Sequence, residues 1–486
     1  MSLTVVVGLA IVSVMLLVYV ASNLVRPNIY NHFVWQASAW LDGQAAIVYP
    51  VKDTPGMPDN DYFNDVQQLY NADGSATGRA LLPFPPLPAA VLLPFVAVFG
   101  LATNQQLLAA ILGAFDVGLM FWMLGLLRIG AGTRVAVTVF FGLGTVFWYA
   151  AEKGTTWYFA HVVAVGLTTL AIGVALGGDR RAVDEASELD GSPEGTAEAE
   201  GNAAGESWRT RAGLPDLADV RHAARTLFSS RQFLAGVLFG LACTARLTVV
   251  FGAFFFLFIG RGGSWWRRGL SAGIGAAIPL GVLVAYNLVS TGHVFSPVYD
   301  FLYQQEAGFY TFLNYNAAWS IEDPRYLPQN LALALIGPPD ILPKVLDFGR
   351  QLCTAPGATP GWLDPDCPII SPKTVGMGLL FTSPAYLLAL PSLAAGYGRA
   401  RLVTGAALAT LFIFVVNLMH FSQGWVQFGY RFSLDFAPFA LLIVALGLHR
   451  LASTRPGRAV VLGTGLIAVS IVVNLWGVYW ASVFGW

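Results

Sequence analysis

The chain has little charge to offer water. Of its 486 residues only 11% are Asp, Glu, Lys or Arg while 56% are hydrophobic, and the formal net charge is −1. That excludes a soluble globular protein of this size and removes any reason to expect a nucleic-acid partner. Metal signatures are also missing: there is no His-x-x-x-His and no Cys-x-x-Cys, and the Asp-x-Asp at 59–61 sits in a Pro/Gly loop. No cofactor is therefore indicated; a divalent cation stays open without being signalled. Neither a phosphate-binding glycine loop nor an internal repeat occurs. Cysteine is scarce, with three in all, of which Cys353 and Cys367 flank a Pro/Gly/Asp-rich stretch. If that stretch lies outside the cytoplasm, a disulfide between them is expected.

What the sequence does contain is a series of long apolar runs. They cover residues 3–21, 105–127, 135–150, 157–177, 233–259, 270–290, 375–396, 402–420, 432–448 and 459–482. The expected fold is all-α, a polytopic transmembrane bundle of about 10 to 12 spans. The first run lacks a basic start and is longer than a signal-peptide core, so it reads as an uncleaved first helix. A further run at 83–100 has four prolines in its first six residues. Treating it as a surface helix places Arg128, Arg134, Arg180, Arg181, Arg399, Arg401, Arg450, Arg455 and Arg458 all on the cytoplasmic side, as the positive-inside rule requires. Outside then lie a first loop at 24–104, a short loop at 151–157, a long loop at 291–374 and a last loop at 420–432. The chain divides into an N-terminal membrane module at 1–177, an acidic cytoplasmic linker at 178–231 expected to be disordered, and a C-terminal membrane module at 232–486.

Within the run 233–259 stands a single charge, Arg246. A guanidinium at bilayer depth costs about 2.5–3.5 kcal/mol, so it calls for a function. Arginines flank both ends of this run, which places both ends in the cytoplasm. The run is too short for two full crossings, and two short helices meeting partway, with Arg246 at the apex, satisfy both conditions. One long tilted helix whose arginine pairs with an acid such as Asp116 is the alternative. After the first span, "NIYNHFVWQASAWLDGQ" shows apolar residues at helical spacing with Asn31, Ser38 and Asp42 on the other side, an amphipathic juxtamembrane helix.

This order of parts resembles the C-type integral-membrane glycosyltransferases (GT-C), especially the bacterial aminoarabinose transferases and protein O-mannosyltransferases. The parts are a surface helix after the first span, the Pro85–Pro86–Leu87 segment, and a short hairpin with a basic tip. The resemblance implies an enzyme that moves a sugar from a polyprenyl-phosphate carrier to an acceptor glycan, lipid or protein, by inversion, on the outer face of the plasma membrane. In the family's pattern an Asp-Glu pair opens the first surface helix, where this chain has Asn31 and His32, and a Lys precedes Pro-Pro-Leu, where it has Phe84. Arg246 stands where the family contacts the lipid phosphate, and Glu152 matches an acid of the second outer loop. The absence of a glycine loop argues against a nucleotide-sugar donor.

The chemistry needs cations on the phosphate, a pocket for the sugar and a base for the acceptor hydroxyl. Arg246, Arg431 and Lys153 are the phosphate candidates, Arg431 being equally placed to pair with Asp435 one turn on. For the base, His32 is a candidate because an unperturbed histidine, with a pKa near 6.5, suits proton abstraction at neutral pH, and Glu152, Asp42 and Asp65 compete with it. Asn31, Tyr430, Trp425 and Asp300 are candidate sugar or acceptor contacts, with His293 and Glu306 in the same loop. A carrier or flippase for a lipid-linked or anionic substrate is the rival reading, using the same arginine without a base.

Overall fold

The structure, a computed structural model, describes residues 2–26, 28–51, 65–187, 229–305, 315–345 and 350–484. It is an all-α polytopic protein. The helices used below are α1 (Leu3–Ser22), α2 (His32–Leu41), α3 (Leu87–Phe99), α4 (Gln105–Leu124), α5 (Ala131–Leu143), α6 (Phe147–Lys153), α7 (Thr156–Leu176), α8 (Arg180–Ser187), α9 (Ser230–Cys243), α10 (Trp265–Thr291), α11 (Val298–Gln305), α12 (Leu327–Ile336), α13 (Arg401–Met419), α14 (Ser433–Thr454) and α15 (Thr464–Phe484).

Among the described residues seven helices are long and apolar enough to cross a membrane: α1, α4, α7, α10, α13, α14 and the run Pro456–Phe484 that contains α15. The pair α5 and α6, bent by 50° at its junction, brings the number to eight when counted as one broken span. The remaining apolar runs are short helices, at Leu87–Ala102, Ser230–Cys243, Leu247–Phe258 and Pro384–Gly396. Local sequence explains the breaks. Pro384 and Pro391 each open a new short helical piece, so 375–396 does not form one continuous span.

The run around Arg246 folds as two short helices. After α9 the backbone at Arg246 is extended (φ −142°, ψ 106°), and a 3₁₀ stretch, Leu247–Phe254, leads back. Its two ends meet, because the Gln232 amide donates to the carbonyls of Phe256 and Ile259 at 3.3 and 3.1 Å. Gly236 and Gly240 let α9 lie directly against α10, since a Cβ at either would collide with Ala272 or Ala276 backbone. Helix α14 forms the centre of the bundle, buried on all sides from Ser433 to Leu448.

Three expectations change. The described residues hold seven helices of spanning length, eight with the bent pair counted as one, where about 10 to 12 spans were expected. Helix α2 buries seven of its ten residues, so it is enclosed rather than resting with one face free. Its Trp35 and Ala39 pack beneath a three-stranded antiparallel sheet formed by Ile47–Val48, Gln67–Tyr70 and Ala76–Leu81, in the order first, third, second. The acidic linker expected to be disordered begins with a helix, α8, ordered by Arg401, which bonds Asp179 at 3.2 Å and Glu185 at 3.0 Å; residues 188–228 lie outside the described residues.

Candidate functional site

All four loops expected outside contribute to one cavity of about 2270 Å³. Its wall combines two kinds of surface. Leu247, Val250 and Phe251 of the hairpin face Leu280, Leu283 and Val284 of α10, an apolar groove, while Arg246, Arg431, Lys153, Asp65 and a set of aromatic rings form the polar part.

Arg246 is held by Asp435 of α14, not Asp116. Its Nε and Nη2 donate to Asp435 Oδ1 and Oδ2 at 3.2 and 3.0 Å, the two-point geometry that a planar guanidinium favours. Asp435 also accepts from the Thr248 hydroxyl at 2.7 Å and the Asn417 amide at 3.3 Å, and His161 Nδ1 lies 3.0 Å from its Oδ1. Four other residues thus converge on one fully buried carboxylate. Among the described residues Nη1 of Arg246 makes no hydrogen bond, and the side chain remains about a quarter exposed to the cavity, at 23%.

With Asp435 so occupied, the expected pairing of Arg431 with it does not form. The Arg431 guanidinium instead lies 5.6 Å from the Tyr158 ring and 5.3 Å from that of Phe432. Arg246 is 5.3 Å from the same Phe432 ring. Two cations thus meet at one aromatic side chain, and among the described residues no carboxylate lies within ion-pair distance of Arg431.

Of the four proposed catalytic residues only Asp65 faces the cavity. Its carboxylate accepts from Trp157 Nε1 at 3.0 Å and from the Tyr303 hydroxyl at 3.1 Å. His32 is fully buried behind Phe84 and Trp157, with Nδ1 2.8 Å from the Thr156 hydroxyl. Glu152 lies behind the wall at 1% exposure, with Lys153 Nζ 3.9 Å from its Oε1. Adjacent residues do not face each other within a helix, but α6 ends at Lys153, where a long side chain can swing back. Asp42 caps α2 at the exposed surface, away from the cavity. Asn31 is buried at the start of α2, and Tyr430 is buried against Phe414 and Phe432; neither lines the cavity. Trp425, Asp300 and Lys153 do. Burial, then the nearby Glu322 charge, raises the Asp300 carboxyl above its ordinary range. His293 is exposed and bonded to the Thr291 carbonyl, and Glu306 lies outside the described residues.

Asp116, the alternative partner for Arg246, is buried in α4 against Gly166 of α7, forms no ion pair among the described residues, and leaves Oδ2 without a hydrogen bond. Cys353 and Cys367 are joined in a disulfide. Among the described residues no group of three or more His, Cys, Asp or Glu side chains is gathered to hold a metal.

The sequence reading missed His161, Trp157, Glu322, His420, Tyr299 and Tyr303. The two tyrosines carry a local signal, four apart in "VYDFLYQQ". Asp435 was named only as a partner for Arg431; its real partner lies 189 residues away.

No family model matches the chain, and no curated protein does. Among solved structures it is similar to the archaeal oligosaccharyltransferase AglB from Archaeoglobus fulgidus, solved with an inhibitory peptide and a dolichol-phosphate. The identity is 12% and the TM-score 0.44, over 98% of this chain and 55% of that one. The chain thus spans about half the length of that protein.

Proposed function

We propose that this chain is an integral-membrane glycosyltransferase that moves a sugar from a polyprenyl-phosphate carrier to an acceptor on the extracytoplasmic side, in an inverting single displacement. One observation carries the reading. Arg246 and Arg431 share the Phe432 ring at the wall of a cavity that continues into an apolar groove.

Two like charges that share one ring beside apolar walls repel, and an anion that both can reach relieves that repulsion. A lipid phosphate supplies the anion and its chain fills the groove. Arg246 offers Nη1 to a phosphate oxygen while Asp435 keeps its plane fixed, so little orientation is lost on binding. Arg431 supplies the net positive charge that the Arg246–Asp435 pair lacks. As the bond between sugar and phosphate breaks, negative charge grows on the phosphate oxygens, where these fixed cations stabilise it most. Trp157, Trp425 and Tyr303 provide flat faces and polar tips suited to a sugar ring. Asp65, Asp300, Glu322 and His420 are proton acceptors that line the cavity.

The test is transfer of radiolabelled sugar from a panel of polyprenyl-phosphate donors in proteoliposomes, comparing the wild type with Arg246→Ala and Arg431→Ala. Donor-dependent transfer that is abolished in Arg246→Ala and weakened in Arg431→Ala is the expected result. If labelled lipid or solute crosses the membrane in an Arg246-dependent way while no donor is consumed, the carrier reading replaces this one.

A further inference from the structure

The last outer loop enters the cavity beside residues 321–323, and backbone pairing locks the two segments in register. Phe421 N donates to Ile321 O, and Asp323 N to Met419 O, both at 2.8 Å, with Glu322 and His420 as antiparallel partners. Asn330 of α12 adds bonds from its amide to the carbonyls of Leu418 and His420 at 2.9 and 2.7 Å. This register sets Glu322 Oε1 3.2 Å from His420 Nδ1. The other ring nitrogen, Nε2, lies 3.0 Å from the Tyr299 hydroxyl, and all three residues line the cavity.

The donor and acceptor roles follow from chemistry. A carboxylate only accepts, so Nδ1 carries the imidazole hydrogen, Nε2 presents its lone pair, and Tyr299 donates to it. Burial first, then the charges of Asp65 and Glu322, push the Tyr299 phenol upward, against the opposing influence of Arg246 and Arg431. It therefore keeps its proton at neutral pH.

Tyr299 and Tyr303 stand one turn apart on α11 with ring centroids 4.5 Å apart. Tyr303 is spent on Asp65, whose other oxygen holds Trp157. Both carboxylate oxygens of Asp65 are thus engaged in holding two rings in place.

We propose, building on the glycosyl-transfer reading above, that the acceptor's proton leaves through the Tyr299 hydroxyl to His420, with Glu322 as a positioning residue. As the acceptor oxygen bonds to the anomeric carbon, the carbon–oxygen bond to phosphate breaks and the polyprenyl phosphate departs with the electron pair. The acceptor proton passes to the Tyr299 oxygen while the proton of Tyr299 moves to Nε2 of His420. The resulting imidazolium, steadied by Glu322, returns its proton to water after the product leaves. Asp65 positions Trp157 and Tyr303.

The test uses the full chain in proteoliposomes with the polyprenyl-phosphate sugar panel and an envelope extract of the source cells as acceptor. His420→Gly, Tyr299→Phe and Glu322→Gln are compared with Asp65→Asn, and binding of sugar-free polyprenyl phosphate is followed by tryptophan fluorescence. The expected result is a loss of about 10²–10⁴ in kcat for His420→Gly, the usual contribution of a positioned base. Its polyprenyl-phosphate binding is unchanged and its turnover is restored by added imidazole. Tyr299→Phe behaves similarly but is not rescued, Glu322→Gln loses less, and Asp65→Asn chiefly raises KM. Wild-type kcat in His420→Gly or in Tyr299→Phe overturns the relay. So does loss of turnover in His420→Gly that imidazole fails to restore, since that marks a merely structural role. In either case the Arg246-dependent use of donor is left standing. A wild type that neither binds polyprenyl phosphate nor consumes any donor overturns the underlying reading instead.

Discussion

Arginine gathers at both ends of the bundle, and two of those at the cavity are treated differently from the rest. Away from the cavity, Arg401 gives Nη1 and Nη2 to Asp179 and Nε to Glu185, with a further bond to the Phe258 carbonyl at 3.2 Å. Arg128 pairs with Asp184 at 2.9 Å, and Arg231, Arg268 and Arg134 bond the carbonyls of Val174, Leu257 and Phe121. At the cavity end, among the described residues, Arg246 keeps Nη1 unspent and Arg431 meets rings in place of acids. The first group makes closed contacts that hold helices together, and so do Arg325 on Asp323 and Arg350 on Asp366 at 2.7 Å each on the cavity side, whereas the pair at Phe432 leaves positive charge uncompensated among the described residues. A cation's partners therefore say more about its role than its burial does.

The contrast is broken most severely at Asp435. Asp435→Ala leaves Arg246 beside His161 with no counter-charge, and removing one partner of a buried pair typically costs about 3–5 kcal/mol. Thermal unfolding in detergent should therefore drop markedly, and donor transfer should be lost with it. Arg401→Gln sharpens the comparison from the other end. It removes charged hydrogen bonds worth about 1.5–3 kcal/mol, so the melting temperature should fall while binding of polyprenyl phosphate stays at the wild-type value. Loss of binding in that variant would show that the two ends are coupled through the hairpin.

The smallest effect belongs to Asp323, at the base of the segment that carries Glu322. Hydrogen bonds from Arg325 hold its carboxyl down at about 2, below the ordinary 3.8. The sign follows from linkage: a depressed carboxyl adds stability above its unfolded value, and that stability fades as pH falls from about 4 through 2. Wild type and Asp323→Asn should therefore differ slightly in melting temperature at pH 6 and converge near pH 2; a constant difference would rule out this origin.

Much of the site was legible only as a set of alternatives. The isolated charge of Arg246 and the arginines flanking its run led to two short helices meeting partway, because both ends need water and the length forbids two crossings. Asp65 could be named as one acid among several, but its contact with Tyr303 depends on how the first and third outer loops meet. His32 attracted attention by its titration range, and packing against Phe84 and Trp157 removed it from the cavity. Glu152 stood at a suggestive position, yet the bend between α5 and α6 turned it behind the wall.

By itself, the sequence determined the membrane-spanning class, the position of the one charged residue in the hairpin, and the loops that cluster at the cavity. These depend on hydropathy, charge placement and chain length, all properties of neighbouring residues. Only the tertiary structure decided that Asp435 serves Arg246, that Arg431 joins Arg246 at Phe432, and that Glu322 lies opposite His420. Those pairings link segments far apart in the chain, and the physics that selects them is whole-molecule packing: a buried carboxylate must find every available donor, and the register of two loops is set by the backbone bonds that helices around them permit.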